Sequence, residues 1–206
     1  MPVDAALARA WVTGFAESVT AARTELTQLD QAVGDGDHGA NMSRGLAAAV
    51  EKLSGDTPGD VLKGVGRTLI STVGGASGPL YGTAFREMAK ALGDADPAAD
   101  ADLGAALHAG LAGIVRLGKA ETGDKTMVDA WTPALAAFDA ALEKGAALAE
   151  AAAAAAQGAA DGAEETVPMQ ARKGRASYLG PRSVGHQDPG ARSTTLLFEA
   201  LAQAAV

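Results

Sequence analysis

The chain has 206 residues, 17 Lys and Arg against 25 Asp and Glu, a net charge of −8, and no cysteine. The acidic balance argues against direct nucleic-acid binding, which needs a basic surface, and the lack of cysteine excludes disulfides and thiolate metal sites. Apolar residues make up 48% of the chain but aromatic ones only 4%. The many alanines therefore favour closely packed helices over a sheet.

The start of the sequence does not resemble a secretory leader, because Asp4 and Arg9 interrupt its first turns. No apolar run is long enough to span a membrane, so we expect a cytoplasmic protein without membrane contact. A length of 206 residues suits one domain with a sizeable core, and no Pro/Ser-rich linker divides the chain. We expect a single domain over residues 1–206.

Apolar residues that recur every three or four positions predict eight helices. Their predicted ranges are 4–28, 39–53, 57–74, 77–93, 100–118, 127–143, 146–171 and 190–205. Thr57 and Pro58 read as a cap and a first helical position, and Ser77 is expected to cap the fourth helix. The seventh helix has a possible break near Gly158 or Pro168. Eight helices joined by short links predict an all-α, antiparallel, up-and-down arrangement.

The link between the first two helices concentrates carboxylates. Asp30, Asp35 and Asp37, here called the aspartate cluster, stand with His38 in the Gly-rich stretch LDQAVGDGDHGANMSRG. Like charges this close repel unless a cation binds them, and Mg²⁺ prefers oxygen ligands of this kind. The following helix begins with free N–H groups that favour phosphate. The link therefore predicts a metal–nucleotide site.

Three other interpretations of this link are weaker. Gly34, Gly36 and Gly39 match the dinucleotide pattern G-x-G-x-x-G, but that pattern follows a β-strand and here a helix precedes it. An EF-hand counted from Asp35 would need an oxygen side chain where Gly39 stands and Glu where Leu46 stands. A solvated turn explains the Asp and Gly residues singly, but not their combination with His38.

Three further links are unusual. GGASGPLYG (74–82) could approach phosphate closely or could simply be a capped helix start. GDKTMVD (123–129) offers Lys125 and Thr126 beside Met127, which suits a flat base but is often a core residue. Residues 171–193, here called the basic segment, could form a lid over phosphate or be a plain surface loop. Its positive or titratable side chains are Arg172, Lys173, Arg175, Arg182, His186 and Arg192.

The order of these links matters. In an up-and-down arrangement every second link falls at the same end, and the four unusual links follow the first, third, fifth and seventh predicted helices. We therefore expect all four to lie at one rim.

The motifs GDGDHGANMSRG, GGASGPLYGTAF, GDKTMVDAW and GRASYLGPRSVGHQDPGA together resemble the nucleotide-binding L subunits of dihydroxyacetone kinases. The resemblance covers nearly the whole chain. It implies a closed barrel of eight antiparallel, up-and-down α-helices that binds a nucleotide at one rim. Pro181 departs from the pattern, in which an acidic residue precedes the equivalent of Arg182, and this affects only the expected local conformation of the lid.

The resemblance also implies roles for individual residues. The aspartate cluster would hold two Mg²⁺ ions that bridge the phosphates. Contacts with phosphate and ribose would come from His38, Gly39, Ala40, Asn41, Ala76 and Ser77. Gly118 and Met127 would border the adenine, and the nucleotide would be covered by Arg175, Asp188, Pro189 and Gly190.

Family members differ in their phosphoryl source. In one version a longer polypeptide joins this module to a substrate module and consumes ATP. In the other version a K subunit holds dihydroxyacetone and the L subunit keeps ADP as a bound cofactor. An M subunit relays phosphate from the phosphoenolpyruvate phosphotransferase system, and the bound ADP is rephosphorylated to ATP in place. The sequence contains no substrate module before it ends at Val206, so it resembles the separate-subunit version.

Two alternatives stay open at this stage. The chain could be an ATP-using kinase subunit for dihydroxyacetone or another small ketose or sugar alcohol. It could also be a non-enzymatic, nucleotide-loaded partner of a transcription regulator. No side chain in the sequence is a convincing base for a substrate hydroxyl, and His108, which is predicted in mid-helix, is expected to be structural.

Overall fold

The computed structural model describes residues 2–206. They form nine α-helices and one 3₁₀ helix, and the only β-pairing among them is a single bridge between Val3 and Ala98. The α-helices are α1 (Ala5–Ala21), α2 (Arg23–Val33), α3 (His38–Glu51), α4 (Pro58–Thr72), α5 (Ser77–Leu92), α6 (Asp100–Gly118), α7 (Met127–Glu143), α8 (Leu148–Glu165) and α9 (Pro189–Ala204). The 3₁₀ helix covers Arg175–Ser183.

The first predicted helix is interrupted and longer than expected. It breaks at Ala22 into α1 and α2, and α2 continues to Val33, so Asp30 lies in a helical turn and not in the link. The apolar stripe on which the prediction depended ends at Leu29. Val33 extends the helix because it is buried against Ala171 and Ala176, which are remote in sequence.

The helices form a closed ring, with α1 and α2 together taking one place. From α3 onward each helix packs against the next in the chain, and α9 returns to pack against both α1 and α2. The predicted all-α fold is confirmed, and this ring of eight helical units is the arrangement expected of the predicted barrel. The largest core cluster gathers side chains from all nine α-helices. None of the helices in residues 2–206 combines the length and apolar character needed to cross a membrane.

The stretch between α8 and α9 also differs from the prediction. Helix α8 ends at Glu165 instead of continuing to residue 171. Pro168, one of the two break positions that the sequence suggests, follows closely and opposes a further helical turn because it has no backbone N–H to donate. The Thr166 hydroxyl donates back to the Ala163 carbonyl. The α8–α9 link (residues 166–188) contains the 3₁₀ helix, so the basic segment is partly ordered as helix.

Close packing of α4 on α5 depends on two glycines that face each other. A Cβ at Gly66 would lie 2.7 Å from the Gly82 carbonyl oxygen, and a Cβ at Gly82 would lie 2.8 Å from the Gly66 oxygen. Both contacts are shorter than van der Waals separation and involve rigid backbone. The glycines therefore set the distance between α4 and α5.

We predict that Gly66→Ala lowers the free energy of unfolding by about 1–3 kcal/mol, because the added methyl group forces the two helices apart. Urea denaturation followed by circular dichroism measures this. Gly64→Ala is the matched control, because it lies in the same helix with nothing within 4 Å of the added Cβ. The control should be neutral, or stabilising by up to about 1 kcal/mol through helix propensity. Equal destabilisation by both variants would contradict the explanation.

Candidate functional site

Residues from all four of the unusual links in the sequence line one cavity. Its walls include residues from the links after α2, α4, α6 and α8, together with the first turns of α3, α5, α7 and α9. The alternation of links therefore brings the unusual segments to one rim, as expected. The lining residues that the argument below uses are Asp30, Asp35, Asp37, His38, Ser77, Lys125, Met127, Arg175 and Asp188.

The aspartate cluster lies in this cavity. One carboxylate oxygen from each of Asp30, Asp35 and Asp37 lies within 4.8 Å of the others, and no other group of three possible ligands meets this criterion in residues 2–206. Asp30 is buried, whereas Asp35 and Asp37 are exposed. Three oxygens from carboxylates form the hard donor set that Mg²⁺ prefers. The residues present therefore fit a divalent cation.

Asp30 has a second task, which fixes its orientation. Its Oδ2 accepts hydrogen bonds from the backbone N–H groups of Asp37 at 2.8 Å and His38 at 3.0 Å. Asp37 stands at the N-cap of α3 but caps nothing with its own side chain. Asp30 therefore caps α3 from the neighbouring helix. Its other oxygen, Oδ1, lies beside Gly34, where any side chain would collide with it.

His38 forms a buried junction among three helices. Its Nδ1 lies 2.9 Å from the Ser77 hydroxyl on α5, and its Nε2 lies 3.0 Å from the Ser193 hydroxyl on α9. Burial lowers the pKa of His38, although Asp30 and Asp37 act to raise it. The imidazole is therefore neutral near pH 7, with one nitrogen donating and the other accepting. Its predicted contact with phosphate stays a prediction.

Ser77 does not cap α5 as the sequence suggested. It is the first helical residue, Ala76 occupies the N-cap position, and no side chain caps this end. The Ser77 hydroxyl faces the His38 ring instead. The first turn of α5 thus keeps backbone N–H groups that no side chain occupies. Uncapped N–H groups and the helix dipole both favour an anion at this position.

Arg175 brings the α8–α9 link to the aspartate cluster. It begins the 3₁₀ helix, and its Nη2 lies 3.0 Å from Asp35 Oδ2. The Arg175 side chain is 67% exposed, so this ion pair contributes little to folding stability. Arg175 also lines the cavity, so the pair puts a guanidinium beside the aspartate cluster in the cavity wall.

Lys125 is the residue whose role the sequence failed to indicate. Its side chain is fully buried, and its ammonium donates to the backbone carbonyls of Thr166, Met169 and His186. All three carbonyls belong to the α8–α9 link. The neighbouring Thr126 and Asp129 form a capping box at the start of α7, which the spacing T-x-x-D could have revealed. No sequence signal marks Lys125 as buried.

Asp188 caps α9 from a buried position. Its Oδ2 accepts the Ala191 N–H at 2.7 Å, and its own N–H donates to the Thr166 hydroxyl. Burial raises the pKa of Asp188 to about 7, and Asp129 adds to the rise, while the Ala191 hydrogen bond and Lys125 oppose it. The Asp188 carboxyl therefore changes charge near neutral pH.

The structure places most of the predicted site residues in the cavity wall, but not all of them. The exceptions are Gly39, Ala40, Asn41 and Gly118. Gly39 packs α3 against the α2 backbone near Arg23 and Thr27, so it has a structural reason to be glycine. Gly118 ends α6 beside Leu80, which does line the cavity. The roles of all these residues toward a nucleotide stay predictions.

A second hollow lies between α4 and α5 and shows why size does not identify the site. Its volume is about 420 Å³, against about 190 Å³ for the cavity at the rim. Its charged lining is mixed, with both cations and carboxylates: Asp60, Lys63, Arg67, Arg86, Glu87, Lys90 and Asp94. Its three carboxylates do not bring their oxygens within 4.8 Å of one another, as those of the aspartate cluster do. The possible metal ligands in the lining, and not the volume, therefore identify the smaller cavity as the candidate site.

The sequence model of the DAK2 domain matches residues 32–203. This chain belongs to the DAK2-domain family. It is 44% identical over 198 residues to the PEP-dependent dihydroxyacetone kinase ADP-binding subunit DhaL of Escherichia coli K12, covering 95% of this chain and 94% of that one. It is also 44% identical to the ADP-binding subunit DhaL of PEP-dependent dihydroxyacetone kinase 1 from Listeria innocua, with each chain covered completely. The family predicted from the motifs is confirmed.

Solved structures agree with this membership. The native dihydroxyacetone kinase of C. freundii superposes with a TM-score of 0.73 at 28% identity, and its complex with AMP-PNP and Mg²⁺ with 0.70 at 29%. The alignments cover 96% and 98% of this chain. The chain spans about a third of the length of those two proteins, 34% in each case.

The raised pKa of Asp188 predicts a pH dependence of stability. The folded protein holds this proton up to about pH 7, whereas the unfolded chain releases it near 3.8. Between these values the folded state binds more protons, so the contribution of Asp188 to the free energy of unfolding falls as pH rises, by up to about 1.4 kcal/mol per pH unit. Asp188→Asn should keep the cap without this fall.

Urea unfolding of the wild type and Asp188→Asn at pH 5 and pH 8 measures the effect. The variant should gain stability relative to the wild type at the higher pH. Both proteins retain His38, whose lowered pKa acts in the opposite sense by favouring unfolding below about pH 6.5, so the difference between them isolates Asp188. A difference that is independent of pH would show that Asp188 ionises as it does in water.

Proposed function

We propose that this chain is the ADP-binding subunit of a PEP-dependent dihydroxyacetone kinase, a phosphotransferase that acts only together with partner subunits. The observation that carries the proposal is the aspartate cluster at the shared mouth of the four links. The DhaL relatives support it because they match over 94% and 100% of their own lengths.

The aspartate cluster is the proposed magnesium site. Asp30 would bind through the oxygen that the α3 cap leaves free, and Asp35 and Asp37 are exposed and close enough to complete the set. Mg²⁺ held there would neutralise negative charge on the nucleotide phosphates. The C. freundii complex contains AMP-PNP and Mg²⁺, which supports a magnesium nucleotide as the ligand of this fold.

The remaining residues would bind and enclose the nucleotide. The first turn of α5 offers uncapped N–H groups to phosphate, at Ser77 in particular. Gly39 and Ala40, in the first turn of α3, are proposed phosphate contacts from the family resemblance alone, since neither lines the cavity. Met127 and Gly118 would border the base. The corner from Asp188 to Gly190 and the guanidinium of Arg175 would close over the ligand.

The chain's own chemistry is positioning and charge compensation. Phosphoryl transfer has a loose transition state with negative charge spread over the equatorial oxygens, so a rigid donor array accelerates it without a protein nucleophile. Arg175 is suited to this because its fork of donors matches phosphate oxygens. His108 is not a candidate base, since it is on the outer surface and paired with Asp139 at 2.7 Å.

The partners follow from the same proposal. The names of the E. coli and Lactococcus lactis relatives describe PEP-dependent and PTS-dependent kinases. We propose a K subunit that holds dihydroxyacetone and an M subunit of the phosphotransferase system that returns phosphate to the bound ADP. A transcription regulator is a further proposed partner.

A second candidate is an ATP-dependent kinase subunit for another ketose. The L-erythrulose 1-kinase of Mycolicibacterium smegmatis is 40% identical over 188 aligned residues, and the alignment covers 87% of this chain. This chain, however, spans only 32% of that enzyme's length, whereas it spans the DhaL subunits almost completely. The higher identity to the DhaL subunits, 44% against 40%, favours the first proposal.

We predict that the double variant Asp35→Asn, Asp37→Asn loses at least about 100-fold in Mg²⁺-dependent ADP affinity, because two of the three anionic ligands become neutral. Isothermal titration calorimetry with and without Mg²⁺ measures the loss. Without Mg²⁺ and nucleotide, the variant should be at least as stable as the wild type, because the repulsion inside the cluster is relieved.

The control is Asp56→Asn, Asp94→Asn, which removes the same charge from exposed links at the other rim. It should leave ADP affinity within about twofold of the wild type. Undiminished affinity in the Asp35, Asp37 variant would refute the magnesium site. A comparable loss in the control would show that net charge, and not coordination, governs binding.

Two measurements separate the phosphoryl donors. Mass spectrometry of nucleotide released from denatured protein should find about one ADP per chain, because a retained cofactor survives purification. With a K subunit present, product should form rapidly with the phosphotransferase relay and only slowly with ATP alone. An empty site together with efficient use of ATP would favour the second candidate. Dihydroxyacetone phosphate formed by this chain alone would contradict the need for partners.

A further inference from the structure

Lys125 is a buried cation that the proposed chemistry does not use. Its side chain is 1% exposed, and no carboxylate in residues 2–206 lies within 4.0 Å of its ammonium nitrogen. Burying an ammonium is unfavourable unless every proton has an acceptor. Here all three protons have one, because Nζ lies 2.7 Å from the Thr166 oxygen, 3.1 Å from the Met169 oxygen and in hydrogen-bond contact with the His186 oxygen.

These three carbonyls lie near the two ends of the α8–α9 link, here called its roots. Thr166 and Met169 follow α8, and His186 precedes α9, so one side chain from the α6–α7 link joins both roots. The backbone at Lys125 has φ +63°, a left-handed conformation that is uncommon outside glycine. The lysine ammonium carries three donors on one atom, which suits three converging carbonyls, and no uncharged side chain has three donors on one atom.

The link has few other means of staying in place. Its apolar contacts are small, with Ala171 and Ala176 buried against Val33 in a minor cluster. Its remaining support consists of the exposed Arg175–Asp35 ion pair and of hydrogen bonds, including Arg172 N–H to the Asp124 carbonyl and Gly185 N–H to the Val167 carbonyl. A link of 23 residues with so little core depends on its polar anchors.

The anchored link carries residues that close the nucleotide cavity. Arg175 lies between the two roots and reaches Asp35. Asp188 follows the second root directly, and its N–H is held by the Thr166 hydroxyl at 2.9 Å. Any movement of the roots would therefore shift both the guanidinium and the corner that precedes α9.

We propose that Lys125 is a positioning residue that sets how long the nucleotide stays bound, by tying both roots of the α8–α9 link to the α6–α7 link. Lys125 lines the cavity, but its ammonium already donates to three carbonyls of the link, which leaves no proton for a phosphate. The inference rests on the proposed function, because the ligand concerned is the nucleotide of that site.

The test is the rate at which ADP leaves its magnesium complex, measured by stopped-flow competition with a fluorescent ADP analogue. Lys125→Met keeps most of the length of the side chain, lacking only the terminal atom, and removes all three donors. It should raise the dissociation rate roughly tenfold or more, because hydrogen bonds from a charged group are lost. Lys125→Arg, which keeps the charge and several donors, should fall between Lys125→Met and the wild type.

Hydrogen–deuterium exchange without nucleotide provides an independent readout. In Lys125→Met the amides of residues 171–188 should exchange faster, while those of α5 and α6 keep their protection. Lys144→Met is the matched control, since Lys144 is exposed at the far end of α7, and it should change neither readout.

Two outcomes would overturn the inference: ADP release from folded Lys125→Met within about twofold of the wild type, or faster exchange spread evenly over α5, α6 and the link. If Lys125→Met does not accumulate as folded protein, Lys125→Arg and Lys125→Gln are judged by the same criteria. Failure of wild-type protein to bind ADP would instead refute the proposed function, and the exchange experiment would still decide whether Lys125 positions the link.

Discussion

Mutual repulsion among three carboxylates is the constraint around which this rim is built. Asp30, Asp35 and Asp37 bring their oxygens within 4.8 Å of one another, an arrangement that is unfavourable without a cation. The protein offsets part of this cost locally. Two backbone N–H groups at the start of α3 donate to Asp30, and Arg175 compensates Asp35. The repulsion that remains would favour the proposed binding of a divalent metal.

The two sides of the site differ in how firmly they are held. On one side, His38, Ser77, Ser193 and Tyr81 form a buried hydrogen-bonded network that joins α3, α5 and α9. Buried polar groups that are all satisfied make such a base rigid. On the other side, the α8–α9 link has little apolar burial and is held by polar contacts. A rigid wall that carries the proposed metal ligands, facing a lightly anchored cover, would suit a site that must admit and then retain a ligand.

Much of the fold and of the candidate site could be predicted from the sequence. Helical periodicity indicated an all-α fold, and the four unusual links fell after alternate helices, which predicted a shared rim. The motifs identified the family. The predictions that failed were local. Helix α2 continues past its apolar stripe because Val33 packs against remote partners, and α8 ends before residue 171, close to the possible break that the sequence indicates at Pro168. Ser77 bonds to His38 across the structure instead of capping its own helix.

The sequence by itself determined the chemistry of the site, because residue types that suit magnesium and phosphate are local properties of short motifs. Tertiary structure alone decided how these residues are divided between structural and ligand-binding tasks. Asp30 caps a neighbouring helix, His38 joins three helices, and Lys125 is buried beneath a link that lies more than 40 residues later. Such assignments depend on which atoms meet in space, and contacts between distant parts of a chain leave no periodic or local trace in the sequence.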